Sequence, residues 1–285
     1  MTVNCLVCGS ETEQFLDLGV QPFANSHIDP SNVSRSDLHE LGLCFCTNAS
    51  CRHVQLTQIT NPRDHFSHYL WTTSTSRAAC AWSEKLCAKI LSYFQTQTYT
   101  GLRVLEIASN DGTFLAPFAK LGCKTVGIDP ASNLSIIALD RGIHTVPDFF
   151  DGQSGSAAVQ ILGGLPDIIL ARNVIAHTPF PRQMLQDCFD LLSPEGMCFI
   201  EFHDLDSIVK GLQYDSVYHE HYSYFSIKSI SHLAEIVGLK LVHAFESPLS
   251  GGAIVCIFTK ACATPAILPI HKLLGHSREC LHNFG

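Results

Sequence analysis

The feature that most constrains the fold of this chain is the regular alternation of apolar and helical segments after residue 102. Short apolar runs typical of buried strands occupy residues 103–107, 124–129, 166–171 and 196–201. Segments with helical character follow three of them, at residues 112–121, 132–141 and 181–192. Strands that alternate with helices form βαβ units, in which helices cover both faces of a parallel sheet. We therefore expect an α/β, Rossmann-like domain.

The flanking segments extend this domain at both ends. Apolar residues at helical spacing predict a helix over residues 78–94 and another over residues 227–237. Two apolar runs at residues 239–245 and 253–259 predict a closing pair of strands.

Composition argues for an ordered, globular chain and against several functional classes. Apolar residues make up 46% of the chain and charged residues 15%, which argues against disorder. The net charge of −8 disfavours an electrostatic nucleic-acid partner. No apolar run approaches the roughly 20 residues of a membrane span, and the first residues lack the features of a signal peptide. The sequence therefore predicts a cytoplasmic enzyme with no membrane or nucleic-acid partner.

Five of the 13 cysteines crowd into the first 51 residues, where helical periodicity is absent. Cys5 and Cys8 form a C-x2-C pair, and Cys46 and Cys51 form a C-x4-C pair. Four thiolates on two short turns match the tetrahedral coordination of structural zinc, which leaves no open position for a substrate. Cys44 could replace Cys46, because spacing alone does not distinguish them. A redox C-x-x-C site is the alternative, but it requires a strand-to-helix setting that this segment lacks.

The loop after the first strand of the predicted sheet carries carboxylates where a ligand is expected. In an open α/β sheet, ligands bind beyond the carboxyl ends of the strands. This loop has neither a G-x-G-x-x-G pattern nor a P-loop lysine, so it lacks the motifs that bind dinucleotides and triphosphates. The next strand ends at Asp129, where a carboxylate can bind both ribose hydroxyls.

An adenosine with a positive centre and no phosphate is S-adenosylmethionine, so we predict this cofactor. The residues predicted to hold it lie at the two strand ends: Glu106, Ala108, Ser109, Asn110, Asp111, Gly112, Asp129 and Pro130. An ordinary Rossmann-like turn with incidental acidic residues is the alternative.

A dense cluster at residues 218–225 contains three tyrosines, two histidines and a glutamate. The spacing is not that of a zinc protease, whose second histidine would fall at Ser223. A His-x-His metal pair and a purely structural aromatic patch are alternatives. General acid–base chemistry is favoured, because histidine titrates near neutral pH and a tyrosine can stabilise an enolate oxygen.

Six segments resemble, in the same order, those of one known family. They are QPFAN at 21–25, CRHVQL at 51–56, EIASNDG at 106–112, GIDP at 127–130, ARNVIAH at 171–177 and YHEH at 218–221. Together they resemble the zinc-containing, S-adenosylmethionine-dependent C-methyltransferases that act on nucleotide-linked deoxysugars, over roughly residues 5–260. The resemblance implies a class I methyltransferase fold with a small N-terminal zinc-binding module and a nucleotide-linked keto-sugar as substrate.

The resemblance also implies which residues act on carbon. Carbon becomes nucleophilic only when a base removes a proton α to a carbonyl while donors hold the enolate oxygen. The resemblance assigns the base to His221, with Tyr218 and Glu220 nearby, and brings His177 to the same cleft. Asn173 would then border the cofactor. From the residues alone, His177 could equally be a capping or core histidine.

We expect three parts: a zinc-binding module over residues 1–75, a methyltransferase domain over 76–262 and a short tail over 263–285. The family usually continues into a further domain after the segment matched by Gly251-Gly252, and its second cysteine pair is more often C-x2-C. These departures leave two alternatives open. One is an O- or N-methyltransferase, and the other is a non-catalytic module that retains the fold and the zinc.

Overall fold

The structure is a computed structural model that describes residues 3–24, 38–62, 71–94, 96 and 98–262. Asn25 and the predicted tail over 263–285 lie outside the described residues. The strands are β1 Thr12–Pro22, β2 Leu38–Cys46, β3 Val54–Leu56, β4 Arg103–Ile107, β5 Lys124–Ile128, β6 His144–Val146, β7 Ile168–Arg172, β8 Met197–His203, β9 Ser223–Tyr224, β10 Leu239–Glu246 and β11 Ala253–Lys260. The α-helices are α1 Arg77–Leu91, α2 Ala116–Lys120, α3 Ser132–Asp140, α4 Gly152–Leu162, α5 Pro181–Leu191, α6 Leu205–Lys210 and α7 Ile227–Ile236. Among the described residues, no helix has the length and apolar character to cross a bilayer.

The larger sheet has seven strands in the order β10-β11-β8-β7-β4-β5-β6. The five strands from β8 to β6 are parallel, and β11 inserts antiparallel between β8 and β10. Alternate side chains of β7 enter different cores: Ile168 and Leu170 pack on one face, and Ile169 and Ala171 on the other. Burial of both faces explains why these strands are continuous apolar runs. The predicted α/β, Rossmann-like architecture is confirmed.

Two local predictions differ from the structure. The helix expected over residues 112–121 is shortened to α2; Gly112, at its expected start, has a positive φ of 74° that an α-helix does not allow. Helix α4 was not predicted, since its Gly- and Ser-rich start lacks a clear apolar period. It begins instead at a capping box, in which the Asp151 carboxylate accepts the N–H of Ser154 and the Ser154 hydroxyl contacts the N–H of Asp151.

The smaller sheet joins distant parts of the chain. Its antiparallel strands follow the order β1-β2-β3-β9, so its fourth strand comes from residues 223–224. Its core combines side chains from both regions: Leu41, Leu43, Leu56, Ile208, Tyr222 and Tyr224. The division of the chain at residue 75 stays a prediction, and the sheet crosses it.

Candidate functional site

The four cysteines of the two turns meet beside the smaller sheet. The Sγ atoms of Cys5, Cys8, Cys46 and Cys51 all lie within 4.8 Å of one another. Cys5 Sγ lies 3.7 Å from Cys51 Sγ, and Cys8 Sγ lies 3.5 Å from Cys46 Sγ. Four thiolates at the usual Zn–S distance of about 2.3 Å are about 3.8 Å apart, so the donor set fits zinc. The hydrogen bond between Cys5 and Cys51 lowers the pKa of the Cys5 thiol and raises that of the Cys51 thiol.

Backbone turns bring the thiols together. The N–H of Gly9 donates to the Cys5 carbonyl at 2.8 Å, and Gly9 has the positive φ of 77° that closes this turn. In the second turn the N–H of Cys51 donates to the Asn48 carbonyl at 3.0 Å. Cys44 lies apart, because its thiol contacts the Gln55 carbonyl at 3.6 Å. The geometry therefore favours Cys46 over Cys44.

A cavity of about 680 Å³ opens at the carboxyl ends of β4, β5 and β7. Eight residues predicted for the site line it: Glu106, Ala108, Ser109, Asn110, Asp129, Pro130, Asn173 and His177. Asp111 and Gly112 are not among its lining residues. The Asp111 carboxylate is buried and accepts the N–H groups of Ser74 at 3.0 Å and Thr113 at 3.2 Å, so it holds the loop in place.

The loop after β4 has an unusual backbone. Ala108, Asn110 and Gly112 have positive φ angles of 55°, 52° and 74°, at alternate positions where glycine is favoured. The Asn110 side chain connects this loop to the segment before α1: Oδ1 accepts the N–H of Thr73 at 3.0 Å, and Nδ2 donates to the Trp71 carbonyl at 3.0 Å.

Two carboxyl groups dominate the electrostatics of this end of the cavity. Glu106 is 2% exposed, and its Oε2 has no hydrogen-bond partner among the described residues. Burial raises the pKa of Glu106 to about 8, although the nearby Arg172 opposes the shift. The Asp129 carboxylate accepts the N–H groups of Asn110 at 2.8 Å and Ala131 at 2.9 Å, and its burial raises its pKa.

Several residues of the cavity were not predicted, namely Trp71, Phe149, Phe150, Asp151 and Arg172. Residues 149–151 follow β6, a three-residue strand whose short sequence carries too weak a pattern to be predicted. Arg172 ends β7; its Nε donates to Glu201 Oε2 at 2.7 Å, and its guanidinium lies 3.1 Å from the centre of the Phe114 ring. The cavity wall thus carries three carboxyl groups, those of Glu106, Asp129 and Asp151, and one arginine, which is already paired with Glu201.

Two histidines stand side by side where the cavity approaches the smaller sheet. The ring centres of His177 and His221 are 4.7 Å apart, and His177 lines the cavity. His177 Nδ1 lies 2.8 Å from the Glu220 carbonyl, and His221 Nδ1 lies 2.9 Å from the Ser216 carbonyl. Because a carbonyl oxygen only accepts, both Nδ1 atoms carry the hydrogen.

This tautomer leaves His221 Nε2 as an acceptor. The Tyr218 hydroxyl lies 3.0 Å from it and donates to it. Burial lowers the pKa of His221 to about 4, so its ring is neutral at pH 7. His219, two residues before His221, bonds a different group, the His39 carbonyl at 3.2 Å. Among the described residues, only the four cysteines cluster with the spacing of metal ligands.

Comparison with known proteins gives matches to both parts of the chain. A family model for a methyltransferase domain matches residues 79–244, more than half of the chain, and a model for a zinc binding domain matches residues 5–66. C-methyltransferase NovU of Streptomyces niveus is 31% identical over 281 residues, which cover 97% of this chain and 65% of that protein. The mitochondrial ubiquinone biosynthesis O-methyltransferase of Mus musculus is 27% identical over 113 residues, or 38% of this chain and 30% of that protein.

Among solved structures, plantazolicin methyltransferase BamL, in complex with a triazolic desmethylPZN analog and SAH, matches with a TM-score of 0.51 at 14% identity. The match covers 65% of this chain and 86% of that chain, and it supports the fold alone. The chain spans less than two thirds of the length of the two curated relatives. Together these matches confirm the predicted fold class and the N-terminal zinc-binding module.

Proposed function

The chain belongs to the methyltransferase family whose domain matches residues 79–244, and we propose that it transfers a methyl group from S-adenosylmethionine to carbon. The acceptor is the carbon α to a ketone in a nucleotide-linked keto-deoxysugar. Similarity to a C-methyltransferase over 97% of the chain supports carbon as the acceptor atom. One observation carries the proposal: His177 lines the same cavity as two buried carboxyl groups, and behind it lies the ring of His221, which is bonded by Tyr218.

The part of the cavity at the carboxyl ends of β4 and β5 fits a cationic adenosine ligand. Glu106 supplies an acceptor for the ammonium group of the methionyl end, and Asp129 supplies one for the ribose. The aromatic rings of Phe149 and Phe150 line the same wall and suit a purine. Asn173 borders the methionyl end. When bound, the cofactor supplies an electrophilic methyl group on a sulfonium sulfur.

We assign proton removal to His221, because its ring is neutral at pH 7 and its Nε2 is an acceptor. His221 Nε2 takes the α proton, and the C–H electron pair becomes the enolate. When the sugar binds, the Tyr218 hydroxyl turns from His221 Nε2 to the enolate oxygen and so frees Nε2 to take the proton, and His177, on the cavity wall, orients the sugar. The enolate carbon would then accept the methyl group that the bound cofactor would supply, and His221 would release its proton to solvent. Glu220 contributes the carbonyl that fixes the ring of His177.

The four cysteines have a separate role. A zinc ion held by Cys5, Cys8, Cys46 and Cys51 is fully coordinated by thiolates, so it stabilises the module and takes no part in methyl transfer.

The proposal is tested with a panel of nucleotide-linked keto-deoxysugars and labelled S-adenosylmethionine. His221→Ala should lower turnover by about 10²- to 10⁴-fold, the usual contribution of a general base, with cofactor affinity near that of the wild type. Solvent deuterium should enter the substrate carbon with the wild type and not with His221→Ala. Tyr218→Phe should slow this exchange less, and His144→Ala, a change at an exposed histidine of β6, should leave it unchanged.

Other outcomes contradict parts of the proposal. Exchange that survives in His221→Ala and disappears in His177→Ala would move the base to His177. Methyl transfer to an oxygen or nitrogen without exchange would favour an O- or N-methyltransferase. Cofactor binding without exchange or transfer to any keto-sugar would favour a non-catalytic module.

A further inference from the structure

A buried amide connects β3 to the first cysteine turn. Gln55 is 0% exposed, and its side-chain carbonyl accepts the N–H of Leu6 at 2.7 Å. Its side-chain amide nitrogen donates to the Asn4 carbonyl at 3.2 Å. Leu6 and Asn4 flank Cys5, so the position of β3 depends on the turn that holds the first thiol.

The second cysteine turn holds the same strand. The N–H of Cys46 donates to the His53 carbonyl at 2.7 Å, and His53 lies between Cys51 and β3. Both turns therefore fix the start of β3, and four converging thiolates fix the turns.

Strand β3 in turn carries β9. Val54 pairs with Tyr224 and Gln55 pairs with Ser223 in an antiparallel ladder. A buried side-chain hydrogen bond reinforces the ladder, because His53 Nε2 lies 3.1 Å from Ser223 Oγ. The N–H of Leu56 extends the contact by donating to the Tyr222 carbonyl at 3.0 Å.

Only Tyr222 separates β9 from His221. The Tyr222 side chain is 0% exposed, and its hydroxyl lies 3.2 Å from Thr60 Oγ1, just beyond β3. On its other side, the N–H of His221 donates to the Tyr218 carbonyl at 3.1 Å. The residues that follow His221 are therefore held by the cysteine module, whereas those that precede it are held by a local turn and by the bond from His219 to the His39 carbonyl.

We infer that the cysteine module positions the ring of His221, in addition to stabilising its own fold. The thiols fix the two turns, the turns fix β3, and β3 fixes the residues that place His221 against His177 and Tyr218. Gln55, His53 and Ser223 are positioning residues in this arrangement. The inference rests on the proposed function only in treating His221 as the base.

The test compares Ser223→Ala and Gln55→Leu with Gln14→Leu, which makes the same substitution at an exposed position of β1. Zinc content, S-adenosylhomocysteine affinity by calorimetry, and hydrogen exchange over residues 216–225 are measured for each full-length protein. Ser223→Ala should keep one zinc and its affinity for S-adenosylhomocysteine. Its hydrogen exchange over residues 216–225 should rise about tenfold, the change expected from one lost buried hydrogen bond. Its kcat for methyl transfer should fall about tenfold at constant KM for the cofactor, and Gln14→Leu should match the wild type.

Two results overturn the inference. The first is unchanged hydrogen exchange over residues 216–225 in both Ser223→Ala and Gln55→Leu. The second is an equal loss of S-adenosylhomocysteine affinity and kcat in Ser223→Ala, which indicates general damage. If the wild type methylates no carbon, the proposed function fails, but nitrogen NMR of His221 still tests the positioning. A shift of its Nδ1 and Nε2 signals in Ser223→Ala supports it, and unchanged signals overturn it.

Discussion

At the scale of single residues, Glu106 couples ligand binding to pH. Burial raises its pKa to about 8, so in the empty site the carboxyl is mostly protonated at pH 7. A cationic ligand requires the ionised form. Affinity for S-adenosylmethionine should therefore rise from pH 6 to pH 8, by at most about tenfold per pH unit, and level off above pH 8.

Calorimetry in two buffers of different ionisation enthalpy checks this prediction. Binding at pH 7 should release up to about one proton from Glu106. Glu106→Gln is the control, because proton release from Glu106 is absent in this variant and any release that remains comes from the ligand itself. Proton release that is identical in Glu106→Gln would show that Glu106 does not contact the cation.

At the scale of elements, one glycine determines how closely β4 and β5 approach at the cofactor loop. A Cβ atom at Gly127 would overlap the side chain of Ser109, which is buried in the loop after β4. Gly127→Ala should lower the free energy of unfolding by about 1–3 kcal/mol, the usual cost of overpacking, and weaken cofactor binding. Gly152→Ala is the matched control, because the nearest atom to its Cβ lies 3.9 Å away. Equal denaturant midpoints for the two variants would contradict this account.

The cysteine turns are a second element with a direct test. Cys8→Ser should reduce the metal content from about one zinc per chain and expose the amides of β2 and β3 to hydrogen exchange, since binding of the metal stabilises the turns. Cys44→Ser should keep the zinc, because the thiol of Cys44 faces the carbonyl of Gln55. Metal analysis after dialysis distinguishes the two, and a wild-type protein that folds without metal contradicts the assignment.

The sequence predicts elements best where the pattern is local. Strand β4 was predicted over the residues that form it, because a strand buried on both faces is mainly apolar, as Val104, Leu105 and Ile107 are here. The smaller sheet was not predicted, since most of β1 is exposed and β9 has two residues. The cavity residues found from sequence follow predicted strands, whereas Phe149 and Phe150 follow the short β6. His177 and His221 lie more than 40 positions apart in the sequence, so only the resemblance could indicate that their rings are neighbours.

At the scale of the whole molecule, the core of the smaller sheet is built from two distant parts of the chain, and neither part supplies it alone. Leu41, Leu43 and Leu56 pack with Ile208, Tyr222 and Tyr224. A fragment of residues 1–75 would lack half of this core and β9, one of the two strands that pair with β3. Even with zinc bound, the fragment should lack stable amide protection, because a module of this size buries too little apolar surface.

Nuclear magnetic resonance of the zinc-loaded fragment checks the prediction. Well-dispersed amide signals with slow hydrogen exchange in β2 and β3 would show that the module folds by itself. The full-length protein is the reference, and its two sheets should unfold in one transition.

The charge of the cavity wall has a consequence for turnover. Methyl transfer converts a sulfonium ion into a neutral thioether, so the spent donor leaves with one positive charge fewer than it brought. Glu106, Asp129 and Asp151 face this site, and the guanidinium of Arg172 is occupied by Glu201. An excess of negative charge attracts the donor more strongly than the product. The same wall should therefore favour replacement of the product by new cofactor after each catalytic cycle and limit product inhibition.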